Sequence, residues 1–247
     1  MKLVSLMYHD IVTTRPSRRY SFSVPEFREH LAAIKKTVGG APAVPDAARD
    51  MSGFALTFDD GHPGWLHAAE ALQELQWKAS FFVVTGWIGK AGVLERSDIK
   101  RLAGMGHVIG SHTVDHPHQL SHRDEPFIRD QWSRSKAVLE DILGRPVTSA
   151  AVPGGFYSAK VGRAAAESGL KHLFTSEPVA TSWDVGGCRI LGRFALTSGM
   201  SSHRVARIAA GTRTEHALHY LGWNLKKAVK SVAPGLYRAL RERVYSN

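Results

Sequence analysis

Seven short apolar runs punctuate this chain, and polar residues gather directly after several of them. Leu3 to Tyr8, Phe54 to Phe58, Ala79 to Val84, His107 to Ser111, Thr148 to Val152, Leu173 to Thr175 and Arg189 to Leu196 have the length and composition of buried strands. Between them run segments with helical periodicity. Val24-Pro25-Glu26-Phe27 opens one through Leu31 and Ile34, and Pro63 starts one carrying Leu66, Ala69, Leu72 and Leu75. Asp98 to Met105, Pro126 to Leu143 and Ala159 to Ser168 are the others. Such alternation demands a parallel sheet covered by helices, and polar groups at successive strand ends favour a barrel whose mouth is the functional site. An open doubly wound sheet is the alternative, but no Gly-x-Gly-x-x-Gly turn or phosphate-loop Gly-Lys-Ser/Thr supports its nucleotide-binding forms.

The size suits this architecture: 247 residues fit one barrel, so a single domain over 1–247 is expected. A hydrophobic content of 43% supplies a sizeable core. The lone cysteine, Cys188, excludes an internal disulfide and is expected to be a buried thiol of a reducing compartment. Met1 to Asp10 carries one basic residue, Lys2, and a short apolar run without a cleavage site of small residues, so it does not read as a signal peptide. No segment reads as a membrane span, and a cytoplasmic protein is expected.

The formal charge of +10 points to an anionic partner. Much of the excess lies in the C-terminal extension, about 213–247, where Lys226, Lys227, Lys230, Arg238, Arg241 and Arg243 interleave with apolar residues, as in amphipathic helices interrupted at Pro234-Gly235. That surface is either a solvated face packed on the domain or a peripheral contact with an anionic membrane at its inner face. No nucleic-acid motif accompanies the charge, so no nucleic acid is expected.

The chemistry concentrates in two segments. Asp60, ending a strand, and His112 and His116, four apart after another, can offer one carboxylate and two imidazoles to a divalent ion while leaving a coordination position open. Adjacent residues at a strand end diverge, so Asp59 is free to act as base on a water activated at that position. Either segment alone is also what a surface turn or a structural histidine pair looks like.

Together they carry a resemblance. Thr57-Phe58-Asp59-Asp60-Gly61 and Ser111-His112-Thr113-Val114-Asp115-His116 match the first two motifs of the polysaccharide deacetylase family, over roughly the first 195 residues. The resemblance implies a distorted parallel (β/α) barrel of about seven strands. It implies hydrolysis of an acetyl group on an N-acetylated sugar, with Asp59 as catalytic base and Asp60, His112 and His116 as ligands of one divalent metal ion. Zinc is expected, and the ligand set also accepts cobalt, nickel or iron.

The chain departs from the family at three points. Ala151-Val152-Pro153-Gly154-Gly155 lacks the arginine of the third motif, which in the family holds the base, and Arg193 is the substitute this sequence offers. Gly154 and Gly155 leave room for a backbone N–H aimed at the oxyanion. The fourth motif has no counterpart. The late histidine of the fifth is replaced by His9 in Leu6-Met7-Tyr8-His9-Asp10, as if one strand had moved from the end of the chain to its start. Some deacetylases of exopolysaccharide poly-N-acetylglucosamine resemble this permuted order, and His9 is the expected general acid.

His62, His107, His118 and His122 lie near the motifs in sequence and are candidate neighbours of the site, as Trp65, Trp87 and Trp132 are for sugar stacking. The expected partner is an N-acetylated glycan, either free polymer or lipid-linked intermediate. The alternatives are hydrolysis of a small amide on the same metal barrel and noncatalytic glycan binding.

Overall fold

The structure, a computed structural model, describes residues 2–45, 52–117 and 119–232. Strand β1 (Leu3–Tyr8) leads into a short parallel pair, β2 (Asp10–Val12) and β3 (Ser21–Ser23), and then into helix α1 (Val24–Val38). There follow β4 (Gly53–Asp60), α2 (Trp65–Glu74), β5 (Ser80–Val83), α3 (Arg96–Gly104), β6 (Val108–Ser111), α4 (Glu125–Leu143), β7 (Ser149–Ala151), α5 (Ala159–Glu167) and β8 (His172–Phe174). The chain continues through β9 (Ser182–Val185), β10 (Cys188–Leu191), β11 (Arg193–Ala195), α6 (Ser202–Ala209) and α7 (Arg213–Val232).

Local chemistry explains the helix boundaries. Ser23 caps α1 in a reciprocal capping box with Glu26, and Pro25 occupies its first turn. Asp124 caps α4 by accepting from the Phe127 N–H, and Gly144 ends that helix in the left-handed conformation.

The main sheet runs β11-β1-β4-β5-β6-β7-β8-β10-β9, parallel throughout except for the antiparallel β9 at its edge. The predicted last strand, Arg189 to Leu196, is two strands broken at Gly192. Its first half pairs with β8 and its second with β1, so one nearly continuous segment joins the two ends of the sheet. A Cβ at Gly192 would lie 2.4 Å from the carbonyl oxygens of Glu177 and Val179, which is why only glycine allows the crossing. Seven parallel staves result, as the resemblance implied. The hairpin of β9 with β10 was not legible, because Ser182 to Val185 is half exposed and carries no apolar run.

Alternation along β4 sorts its side chains into two layers. Phe54, Leu56 and Phe58 pack outward with Trp65, Phe81 and the helices, whereas Ala55 joins Leu3, Phe82, Ala151, Phe174 and Leu191 in a separate cluster that fills the barrel. The Cys188 thiol is buried between α5 and the sheet, and burial pushes its pKa up to about 12.

His107 lies at the N-terminal end of β6, away from the mouth. It is 1% exposed, packs edge-on against Phe81, and its Nδ1 accepts from the Ala79 N–H at 3.2 Å. Burial, helped by the charge of Lys78, lowers its pKa to about 4. The unfolded chain, with an imidazole pKa of about 6.5, therefore takes up a proton that the folded protein refuses between those two values. Stability is full above about pH 6.5 and falls as the pH drops toward 4, by up to about 1.4 kcal/mol per pH unit from this residue. His107→Gln should flatten that slope: its stability deficit relative to wild type in denaturant titrations should shrink steadily as the pH is lowered through this window.

Candidate metal and catalytic centre

The parity that sends Ala55 inward carries Thr57 and Asp59 up the same lumen face of β4, and Asp59 ends 3% exposed near the C-terminal mouth. Asp60 would by parity face the helices, but its backbone has φ of 88°. Thr113 and His116 also have positive φ, at 68° and 52°, and the only other described non-glycine residue that does so is Gln76. Non-glycine residues avoid this region at a cost of order 1–3 kcal/mol each, so its concentration in these two loops marks a geometry imposed by the surrounding fold.

Asp59 is held from two strands away, beyond β1. Arg193 of β11, fully buried, donates from Nη1 to Oδ1 at 2.6 Å and from Nη2 to Oδ2 at 2.8 Å. The same guanidinium donates from Nε to the Thr175 carbonyl oxygen and from Nη1 to Thr57 Oγ1, and lies over the Phe82 ring. Burial alone would raise the Asp59 pKa, but the charge of Arg193, with those of His112 and His9 and the Arg193 hydrogen bonds, outweighs it and lowers the value to about 2. Asp59 is therefore an ionised carboxylate at neutral pH.

His112 follows β6 directly. Its N–H donates to the Val83 carbonyl, and its Nδ1–H donates to the Ala151 carbonyl oxygen at 2.8 Å, which leaves the Nε2 lone pair for another partner. The His116 backbone N–H donates to Thr113 Oγ1, and its ring lies against Trp87 with centroids 5.2 Å apart. Asp60 Oδ1 sits 3.5 Å from His112 Nε2 and 3.3 Å from His116 Nε2, yet this buried oxygen has no hydrogen-bond partner. All three ligand atoms lie within 4.8 Å of one another. A buried, unsatisfied carboxylate oxygen facing two imidazole nitrogens is the donor set of a divalent cation, so the residues fit the metal that the motifs imply.

His9 follows β1, whose register sets Tyr8 beside Phe58, so His9 comes next to Asp59 at the rim. Its carbonyl accepts from Trp65 Nε1 at 2.8 Å, its ring stacks on Tyr20 at 4.8 Å, and its Nδ1 is buried with no hydrogen-bond partner. Gly154 and Gly155 form a tight turn after β7 with φ of 61° and 71°, and a Cβ at Gly155 would strike the Ser176 side chain.

The neighbouring candidates separate. His62 accepts from the Gly64 N–H beside the β4 loop, and His122 lies against Phe156. Trp65 and Trp132 are core residues, whereas Trp87 reaches the site through His116. His118, the side chains from Lys226 onward, and residues 233–247 lie outside the described residues.

One functional neighbour was missed. Gln131 of α4, 1% exposed, accepts from the backbone N–H groups of both Val114 and Asp115 through Oε1 and donates to Asp115 Oδ2. It clamps the loop between the two histidines. Its only sequence signal is an amide at a buried position of an amphipathic helix, which takes the fold to notice.

A cavity of about 490 Å³ lies elsewhere. Gly106, His107, Thr148, Lys171 and His172 line it at the N-terminal ends of the strands, the stability face of such barrels. It holds none of Asp59, Asp60, His112, His116, His9 and Arg193.

A parallel β/α barrel with an ionised carboxylate, Asp59, beside a candidate Asp60, His112 and His116 donor set at its C-terminal mouth defines the class to which the chain's fold and site belong. The chain belongs to the polysaccharide deacetylase family, whose description matches residues 47–173. It is 29% identical over 212 residues to YxkH of Bacillus subtilis, whose own assignment as a polysaccharide deacetylase is provisional, covering 81% of this chain and 73% of that protein. It is 36% identical over 93 residues to a peptidoglycan-N-acetylglucosamine deacetylase of Bacillus cereus, covering 36% of this chain and about a third (32%) of that longer protein. Among solved structures, IcaB from Ammonifex degensii superposes with a TM-score of 0.69 at 27% identity, over 84% of this chain and 97% of that one.

The Gln131 clamp makes a direct prediction. Gln131→Leu removes the acceptor of the part-buried Val114 and Asp115 N–H groups, so the folded state should lose about 1 kcal/mol. Zinc affinity, read by calorimetric titration, should fall about 10- to 100-fold although no ligand atom is changed.

Proposed function

We propose that this protein is a metal-dependent N-deacetylase of an N-acetylated glycan. The observation that carries the proposal is the orphaned Asp60 Oδ1, 3.3 and 3.5 Å from two imidazole nitrogens, with the ionised Asp59 carboxylate 3.7 Å from one of them. Asp60, His112 and His116 would hold the ion. Two neutral imidazoles and one carboxylate are a donor set that zinc accepts, and zinc is the ion proposed. When bound, the ion supplies Lewis acidity that polarises a carbonyl oxygen and acidifies a water.

The chain's own residues divide the remaining work. Asp59, locked by both its oxygens onto Arg193, accepts the proton of the attacking water, and its low pKa keeps it unprotonated when needed. Arg193 acts through Asp59 as a positioning residue and replaces the missing motif arginine. The Gly154-Gly155 turn offers backbone N–H toward the developing oxyanion. His9 donates a proton to the departing nitrogen, which leaves acetate and a free amino sugar.

Acetate release from defined N-acetylated oligosaccharides, with protein metal content measured, tests this reading. Asp59→Asn should lower kcat by about 10²–10⁴-fold with metal retained, and His9→Ala by about 10²-fold or more. Turnover unchanged by His9→Ala would remove the acid assignment, and full metal occupancy without acetate from any glycan would favour a noncatalytic binder.

A finer reading concerns where the glycan is met. Among the described residues no helix is long and apolar enough to cross a membrane. Helix α7, however, exposes Leu218, Leu221 and Leu225 at helical spacing, and Lys226, Lys227 and Lys230 follow in sequence. This pattern supports a cytoplasmic protein lying on an anionic inner membrane face and taking a lipid-linked glycan, with 1–247 acting as one barrel and its basic extension. Binding to vesicles containing anionic lipid, lost at high salt and reduced at least about fivefold by a Leu221→Glu/Leu225→Glu double change, is the expected result. Equal retention on neutral vesicles would reject it.

A further inference from the structure

A second cleft, of about 190 Å³, opens beside the proposed centre. Two of its lining residues touch the proposed catalytic pair: Tyr20 stacks on His9, and Arg193 grips Asp59. The opposite wall is α7, which contributes Leu218, His219, Gly222 and Trp223. The cleft therefore begins where a sugar adjoining the one being hydrolysed would lie. Its volume is well below that of a drug-sized pocket and suits a single ring with its substituent.

The electrostatics of the cleft have one sign. Arg19, Arg193 and Arg204 line it, and among the described residues no acidic side chain does, since Glu177 lies between two lining residues without being one. Arg193 is neutralised by Asp59. Arg204 pairs through Nε with Glu215 at 3.0 Å, but Glu215 also lies 3.6 Å from Arg207, so one carboxylate faces two guanidinium groups. Arg19 has no carboxylate within ion-pair distance among the described residues. Its guanidinium stands 5.9 Å from the centre of the Tyr20 ring, and its carbonyl is pinned by the Ser198 N–H at 2.8 Å. Two aromatic side chains, Tyr20 and Trp223, line the cleft beside this positive charge.

We infer that this cleft is a subsite for an anionic group, a phosphate or a carboxylate, carried by the glycan on the residue next to the acetylated sugar. The inference rests on the deacetylase reading for its position and adds the substrate's charge to it. Arg19 and Arg204 supply the charge-assisted hydrogen bonds, and Tyr20 transmits correct seating to the His9 ring it stacks on.

The test compares three matched N-acetylated oligosaccharides: neutral, bearing a phosphate at the flanking sugar, and bearing a uronate there. In the wild-type holoenzyme the KM of one or both anionic substrates should be at least about fivefold below that of the neutral one, with the preference reduced by added salt. Arg19 is exposed, so Arg19→Glu should fold. It should abolish or invert the KM ratio, and Arg19→Lys should restore most of it. Preference for the phosphate or for the uronate identifies the source of the charge. Equal KM values for all three, unmoved by Arg19→Glu, overturn the inference while leaving the deacetylase intact. If no substrate releases acetate, calorimetric binding of the same oligosaccharides decides the cleft separately. Binding of an anionic form that Arg19→Glu weakens at least about fivefold supports it, and binding indifferent to charge or absent overturns it.

Discussion

The bidentate pair of Arg193 and Asp59 is the interaction around which the barrel is organised. It joins the last stave to β4 past the intervening β1, with both side chains almost wholly buried. Burying two charges is costly unless their remaining polar atoms are satisfied, and Arg193 meets that condition through Thr175 and Thr57. Losing either partner would leave an uncompensated buried charge, worth about 3–5 kcal/mol of stability. One contact thus ties closure of the sheet, the ionisation of Asp59 and the direction in which that carboxylate faces to a single geometry.

Around that pair the mouth is strained where it carries chemistry and relaxed elsewhere. The left-handed backbone at Asp60, Thr113 and His116 turns three side chains against their natural directions. The surroundings hold these turns in place: Gln131 clamps the histidine loop, Ser111 accepts from the Thr113 N–H, and Ala151 fixes the His112 tautomer. A carboxylate oxygen left unpaired between two imidazoles has no stability rationale of its own, and binding a cation gives it one.

Much of this was legible before any coordinates. The β/α alternation foretold the seven staves because buried parallel strands need unbroken apolar runs, and the strand ends bearing Asp59, Asp60 and His112 could be placed from those runs alone. What was not legible shares a cause. The β9 hairpin is half exposed and lacks an apolar signature, and the break at Gly192 depends on carbonyls that arrive from Glu177 and Val179. Each is decided by neighbours distant in sequence, on which a local pattern carries no information.

Sequence by itself determined which residue types stand at the strand ends, and hence the fold class, the family and the candidate ligand set, because periodicity and short motifs are local properties. Tertiary structure alone decided which groups meet. Arg193 reaches Asp59 across a separation of 134 residues, and His9, near the start of the chain, stands beside the same carboxylate because β1 lies between β4 and the closing strand. Sheet order and the closure of the barrel create those contacts, and hydrogen-bonded register between strands remote in sequence is what sets both.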